Sequence, residues 1–147
     1  MRVDRAGTVV RIVLASLLTG VAGASSKALA GECLAYDSPV TLEGTLTIKT
    51  FPGRPNYQSV EEGDEPETVL LLQLKKPICL IATADGLGDA AQGVRKVQLA
   101  LHGNGQFAEM KRLLGKAVRL SGLLFGAISG HHHTPALMER VTLVRSN

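Results

Sequence analysis

Val40-Thr41-Leu42-Glu43-Gly44-Thr45-Leu46-Thr47-Ile48-Lys49-Thr50 alternates from end to end. Val40, Leu42, Gly44, Leu46 and Ile48 fall on one side; Thr41, Glu43, Thr45, Thr47 and Lys49 fall on the other. Successive side chains of a strand point to opposite faces, so a period of two predicts a half-buried β-strand. Gly44, on the apolar side, predicts a bulge or sharp bend of the kind a small barrel needs.

Downstream, residues 51–67 hold three prolines, two glycines and, from Glu61 to Glu67, five acidic side chains. That composition predicts a long irregular acidic loop. Thr68 to Leu74 is nearly all apolar and predicts a second strand covered on both faces, ended by Lys75-Lys76-Pro77 and continued by a short extended piece, Ile78 to Ile81. Residues 82–93 read as loop. Val94 to Leu101 predicts a third strand, with Val97, Leu99 and Leu101 on one face. Gly103-Asn104-Gly105 breaks it, and Gln106 to Leu114 predicts a short helix capped by Asn104 and ended by Gly115. Its apolar stripe, Phe107, Met110, Leu113 and Leu114, needs something to plug, because nine residues do not hold a helix alone. Lys116 to Gly126 and Ala136 to Val144 predict the fourth and fifth strands. Glu139 falls on the apolar side of the last one, which calls for a bulge near Glu139-Arg140 or a place at the strand rim.

The order strand, strand, strand, helix, strand, strand is that of a five-stranded OB-like barrel, mainly β, with one short helix between strands 3 and 4. A small β-sandwich or an open α+β sheet is the alternative. The core has few aromatic residues: Tyr36, Phe51, Tyr57, Phe107 and Phe125, with no Trp.

The N-terminus predicts export. Arg2, Arg5 and Arg11 precede an apolar run from Ile12 to Ala24, and Ala28-Leu29-Ala30 supplies the small residues of a cleavage site before Gly31. The run is thirteen residues, short of the roughly 20 of a spanning helix. Residues 1–30 are therefore expected to be a cleaved signal peptide, and 31–147 one periplasmic or secreted domain without stable membrane insertion. The whole chain has 16 Lys and Arg against 13 Asp and Glu. Arg2, Arg5, Arg11, Lys27 and Asp4 leave with the signal, so the mature chain has 12 of each and no net charge. That balance excludes the positive footprint of a nucleic-acid binder. Cys33 and Cys79, an even pair in an exported chain, predict a disulfide, and antiparallel pairing of the first two strands would bring them together.

The chemistry concentrates in Gly130-His131-His132-His133-Thr134-Pro135. In an extended segment His131 and His133 share a face, with Cβ atoms roughly 7 Å apart, and His132 points away. Such a pair could clamp Zn or Cu, with His102 or the acidic loop supplying a further ligand. In an OB-type barrel the loops between strands 1 and 2 and between strands 4 and 5 flank the usual binding face. Phe51, Arg54 and Tyr57 from the first and His131, His132, His133 and Thr134 from the second are the candidate ligand-binding residues. There is no Gly-x-Ser-x-Gly elbow and no phosphate-binding glycine loop. The expected function is a non-enzymatic binding module for an envelope protein, a glycan or a small molecule. The alternative is a metal-binding protein or metal-dependent hydrolase built on His131 and His133.

Leu113-Leu114-Gly115-Lys116-Ala117-Val118 to Phe125, then Gly130-His131-His132-His133-Thr134-Pro135, resembles a family of small exported bacterial proteins described only as a domain of unknown function. Lys49 to Gly53, Gly63 to Thr68 and Lys76-Pro77-Ile78-Cys79 are similar to it too. The Gly-Lys-x-Val start of a strand is common in OB-type barrels, whereas the His-His-His-Thr-Pro run is distinctive. The resemblance implies export and a small β-rich domain, and it implies no activity.

Overall fold

The computed structural model describes residues 32–144. The expected signal peptide and its cleavage site lie outside the described residues. Five strands and one helix follow in order: β1 (Pro39–Pro52), β2 (Pro66–Leu80), β3 (Ala91–Leu99), α1 (Gly103–Lys111), β4 (Ala117–Gly126) and β5 (Ala136–Leu143). The strands close into a barrel in the order β1-β2-β3-β5-β4, with β1 also pairing β4. All neighbours are antiparallel except β3 and β5. The fold is mainly β, and the one helix among the described residues lies between β3 and β4.

Closure depends on β1 serving two partners. Pro39 to Thr45 pairs with β4, and Gly44 to Pro52 pairs with β2. Gly44 belongs to both ladders, opposite Val118 on one side and Leu74 on the other. A Cβ there would run into the carbonyl oxygen of Gln73. Glycine is thus required by close backbone approach at the corner of the wall.

The even-numbered residues of β1 and β2 face inward. Leu46, Leu70, Leu72, Leu120, Leu124 and Val97 fill the centre of the barrel and are essentially inaccessible. Burying each such side chain stabilises the fold by about 1.5–3 kcal/mol. Ile48 departs from the expected stripe: it is exposed, because β1 has left β4 by that point. Met110 is buried, and Phe107, Leu113 and Leu114 pack on the core, so α1 and the turn after it plug the barrel.

Four boundaries differ from expectation. β3 spans Ala91–Leu99, so it begins within the expected loop and stops short of Leu101. β1 and β2 run further into the supposed loop, with Phe51 opposite Glu67 and Pro52 opposite Pro66. Proline is tolerated there because a strand end needs no further amide donor. β2 also crosses Lys75-Lys76-Pro77, where its register with β3 shifts between Gln73 and Ile78. That irregularity accommodates Pro77. The helix spans Gly103–Lys111, and Asn104 does not cap it. His102 is the N-cap, and the longer Gln106 side chain reaches back to accept the His102 N–H at 2.8 Å.

The placement of Glu139 is resolved by a bulge. Leu123 pairs Glu139, yet Ser121 pairs Thr142, so β5 carries one extra residue opposite Gly122. Arg140 takes the positive φ, 51°, that the bulge demands. Cys33 and Cys79 form the expected disulfide, with Cα atoms 4.6 Å apart. Beside it the Leu34 N–H donates to the Cys79 carbonyl and the Ile81 N–H to the Leu34 carbonyl. Among the described residues no helix is long and apolar enough to cross a membrane.

Candidate functional site

The odd-numbered residues of β1 and β2 face outward, yet Val69 and Leu71 are buried, as is Leu137 on β5. The segment 127–135, which leaves β4, is seated on this face beside Leu71 and Leu137, the register neighbours of Gln98 on β2 and β5. Gln98, the outward residue between Val97 and Leu99, holds it there. The Gln98 side chain donates to the His131 carbonyl at 2.8 Å and accepts the His133 N–H at 2.7 Å. Its backbone N–H donates to Thr134 Oγ1 at 3.0 Å. Thr134 Oγ1 in turn donates to the Ala136 carbonyl at 2.6 Å. Gln98 is 5% exposed, so these bonds replace water rather than compete with it.

The segment also meets the β1–β2 loop. His131 and His133 project to the same side, and both reach Oε2 of Glu67, His131 by Nδ1 at 2.9 Å and His133 by Nε2 at 3.4 Å. The His131 Nε2 lies 3.0 Å from the Tyr57 hydroxyl. In the neutral tautomer that carries its proton on Nδ1, that nitrogen donates to Glu67 and Nε2 accepts from Tyr57. His133 stacks on Phe51, with ring centroids 4.2 Å apart and planes at 3°. Lys49 Nζ lies 4.4 Å from the centroid of the same Phe51 ring. The Tyr57 ring packs against Gly130, where a Cβ would approach it to 2.7 Å.

Asp64 shapes the other loop. Its carboxylate accepts the N–H groups of Asn56, Gln58 and Ser59 at 2.7–3.0 Å, and the residue is 4% exposed. The Gln58 amide first, with those of Asn56 and Ser59, holds the Asp64 carboxyl below its ordinary range. One of the five acidic residues is therefore the organiser of its loop, while Glu61, Glu62 and Glu65 are exposed.

The candidate residues divide accordingly. Phe51, Tyr57, His131 and His133 are brought together around Glu67. His132 faces away: its Nδ1 accepts the Ile128 N–H at 2.9 Å, and its ring meets the Phe125 ring edge-on. Partial burial, then the neighbouring His131, lowers the His132 pKa, with Glu67 opposing. Thr134 is spent on the hydrogen bonds that seat the turn. Arg54 is exposed, and its carbonyl accepts the Glu65 N–H. His102 is not gathered with the other histidines; it starts α1. Among the described residues no group of three or more His, Cys, Asp or Glu side chains could hold a metal ion. The imidazoles near Glu67 are instead engaged by its carboxylate and by Tyr57.

Gln98 was not among the candidates, and Glu67 stood only as one of five acidic residues. The signal for Glu67 lay in the strand register: had β1 and β2 been extended by two residues each, it would have fallen opposite Phe51.

Residues 96–145 match a family model described as Domain of unknown function (DUF4431). The match begins in β3 and takes in Gln98, α1, β4, the histidine turn and β5. The half with Phe51, Tyr57 and Glu67 lies outside it. No curated relative and no solved structure matches the chain.

Proposed function

We propose that the chain is a small exported binding module of OB-like architecture, acting without catalysis in the periplasm or outside the cell. Its ligand surface is the rim shared by the β1–β2 loop and the turn between β4 and β5. The observation that carries this reading is the convergence of His131 and His133 on Glu67, with Tyr57 bonded to His131. Two irregular loops are tied into one preorganised surface, with the His131 side chain 48% exposed at its edge. Preorganisation lowers the ordering cost of binding. The surface offers an aromatic ring, an imidazole and a cation over Phe51, chemistry suited to an envelope protein, a glycan or a small polar molecule. The hydroxyl–imidazole–carboxylate line from Tyr57 to Glu67 resembles a proton relay, but it lies open to water, where it gains little from a low dielectric.

The test compares the wild-type chain with a Tyr57→Ala/His131→Ala variant in capture from envelope extracts. Loss of a specific partner from the variant is expected; an unchanged set of captured species would defeat the reading. Fractionation of an expressing bacterium tests export. The expected product lies in the periplasm or medium and begins at Gly31.

A further inference from the structure

The covered wall has an open counterpart. Where β1 passes from β4 to β2, a groove of about 920 Å³ opens at Gly44. Leu74, Val118 and Leu143 contribute its apolar surface, and Leu143 is 37% exposed although it is large and apolar. Lys75, Lys116 and Arg119 stand round it with one carboxylate, Glu43. Arg119 donates to Glu43 Oε1 through Nε at 2.9 Å and Nη2 at 2.5 Å, so those two charges cancel. Lys75 and Lys116 have no carboxylate within salt-bridge distance among the described residues. An adjoining hollow adds Lys76 beside Leu42 and Ile78.

We propose that this groove binds an anionic amphiphile, a single apolar chain with a carboxylate or phosphate head. The apolar surface takes the chain, and Lys75 and Lys116 take the head, since an ammonium binds either anion as a point charge. The volume lies within the range of small-molecule sites, roughly 300–1,000 Å³. An extended peptide suits the groove less. Gly44 and Thr45 are each already paired with both β4 and β2, so the β1 side of the groove offers no free backbone edge for strand addition. The proposal is independent of the histidine face.

The experiment titrates the chain, as purified from an exporting host, with dodecanoate below its micelle concentration. Calorimetry reads affinity, and backbone NMR shifts read the site. Saturable one-to-one binding is expected, with shifts at Leu74, Val118 and Leu143. Dodecanol should bind about tenfold more weakly, as should dodecanoate to a Lys75→Glu/Lys116→Glu variant, because a charge-assisted contact is lost. Ala117→Trp, at an exposed groove position, fills the site without touching the charges and should abolish binding if the double variant fails to fold. Dodecyl phosphate in place of dodecanoate distinguishes the two head groups, and tighter binding of either is consistent with the site. Unsaturable binding, equal affinity for dodecanol, or shifts confined to other residues overturns the proposal. Displacement of dodecanoate by an acidic Leu/Glu peptide at lower concentration overturns it in favour of a peptide.

Discussion

Two stretches of the same barrel wall are treated in opposite ways. The outer wall formed by β2, β3 and β5 is sealed by the turn 127–135, so Leu71 is 2% exposed although it points away from the barrel interior. The wall around Gly44 is left open instead: Leu74, Val118 and Leu143, at inward positions there, line a groove with Lys75 and Lys116 beside it. A closed barrel buries only its inner face by construction. Whatever seals part of the outer face must therefore be specified separately, here by Gln98, Thr134, His133 and Phe51. Three of those four are polar. They direct a loop into place by hydrogen bonds and ring stacking, where apolar burial alone would leave its position free.

The largest expected effect comes from removing the sealed surface itself. Leu71→Ala deletes a buried side chain outside the central core, and should cost about 3 kcal/mol by the rule for buried leucines. Chemical denaturation reads it. A cost below about 1 kcal/mol would show that this wall is wet in solution, and the contrast between the walls would vanish.

Gln98→Ala attacks the seal rather than the surface. It removes two side-chain hydrogen bonds and leaves the His131 carbonyl and His133 N–H without partners, for a cost of about 2 kcal/mol. Amide exchange of His133 should accelerate while that of Leu46 and Leu72, in the barrel centre, moves only with global stability. Uniform acceleration across the barrel would mean that turn and wall unfold as one unit.

How much of this was legible follows the same division. The inner face was legible because alternation is a local property: β1, β4 and β5 announce themselves by period two, and the apolar run of β2 announces cover on both sides. The disulfide followed from pairing β1 with β2. The source of the cover on β2 was not legible. Gln98 is an ordinary outward residue by pattern, and its role exists only once the turn after β4 has docked, more than thirty residues further along the chain. Glu67 was misplaced for a simpler reason. Pro52 and Pro66 argue locally for a loop, but paired at the end of a hairpin they cost the ladder nothing, and the strands run past them. His102 shows the converse. A histidine after a strand looked available for a metal, whereas its backbone was needed to start α1.

A smaller effect tests the seal by pH. The Nδ1 of His132 accepts the Ile128 N–H, which requires that nitrogen to be unprotonated. Its pKa is lowered in the folded chain, mainly by burial. A group with a lowered folded pKa binds fewer protons folded than unfolded. Its contribution is complete above the unfolded value, about 6.5, and is lost as pH falls through the folded one. Stability should therefore decline below about pH 6.5, ahead of the carboxylate range, with exchange at Ile128 rising in parallel. His132→Gln keeps an acceptor without a titration and should flatten that part of the profile. An unchanged slope would assign it to groups other than His132.

The smallest expected effect belongs to the open wall, and it makes the comparison quantitative. Leu143→Ala removes the same atoms as Leu71→Ala from a position that is already partly in water. Little transfer free energy is lost and no enclosed cavity is left, so the cost should stay within about 0.5–1 kcal/mol. The two substitutions together, measured in one denaturant series, separate burial from residue type. A Leu143→Ala cost equal to that of Leu71→Ala would mean that something covers the groove in solution. A smaller cost that rises when dodecanoate is present would instead identify Leu143 as a contact made only in the bound state, because a ligand stabilises the fold in proportion to its affinity for it.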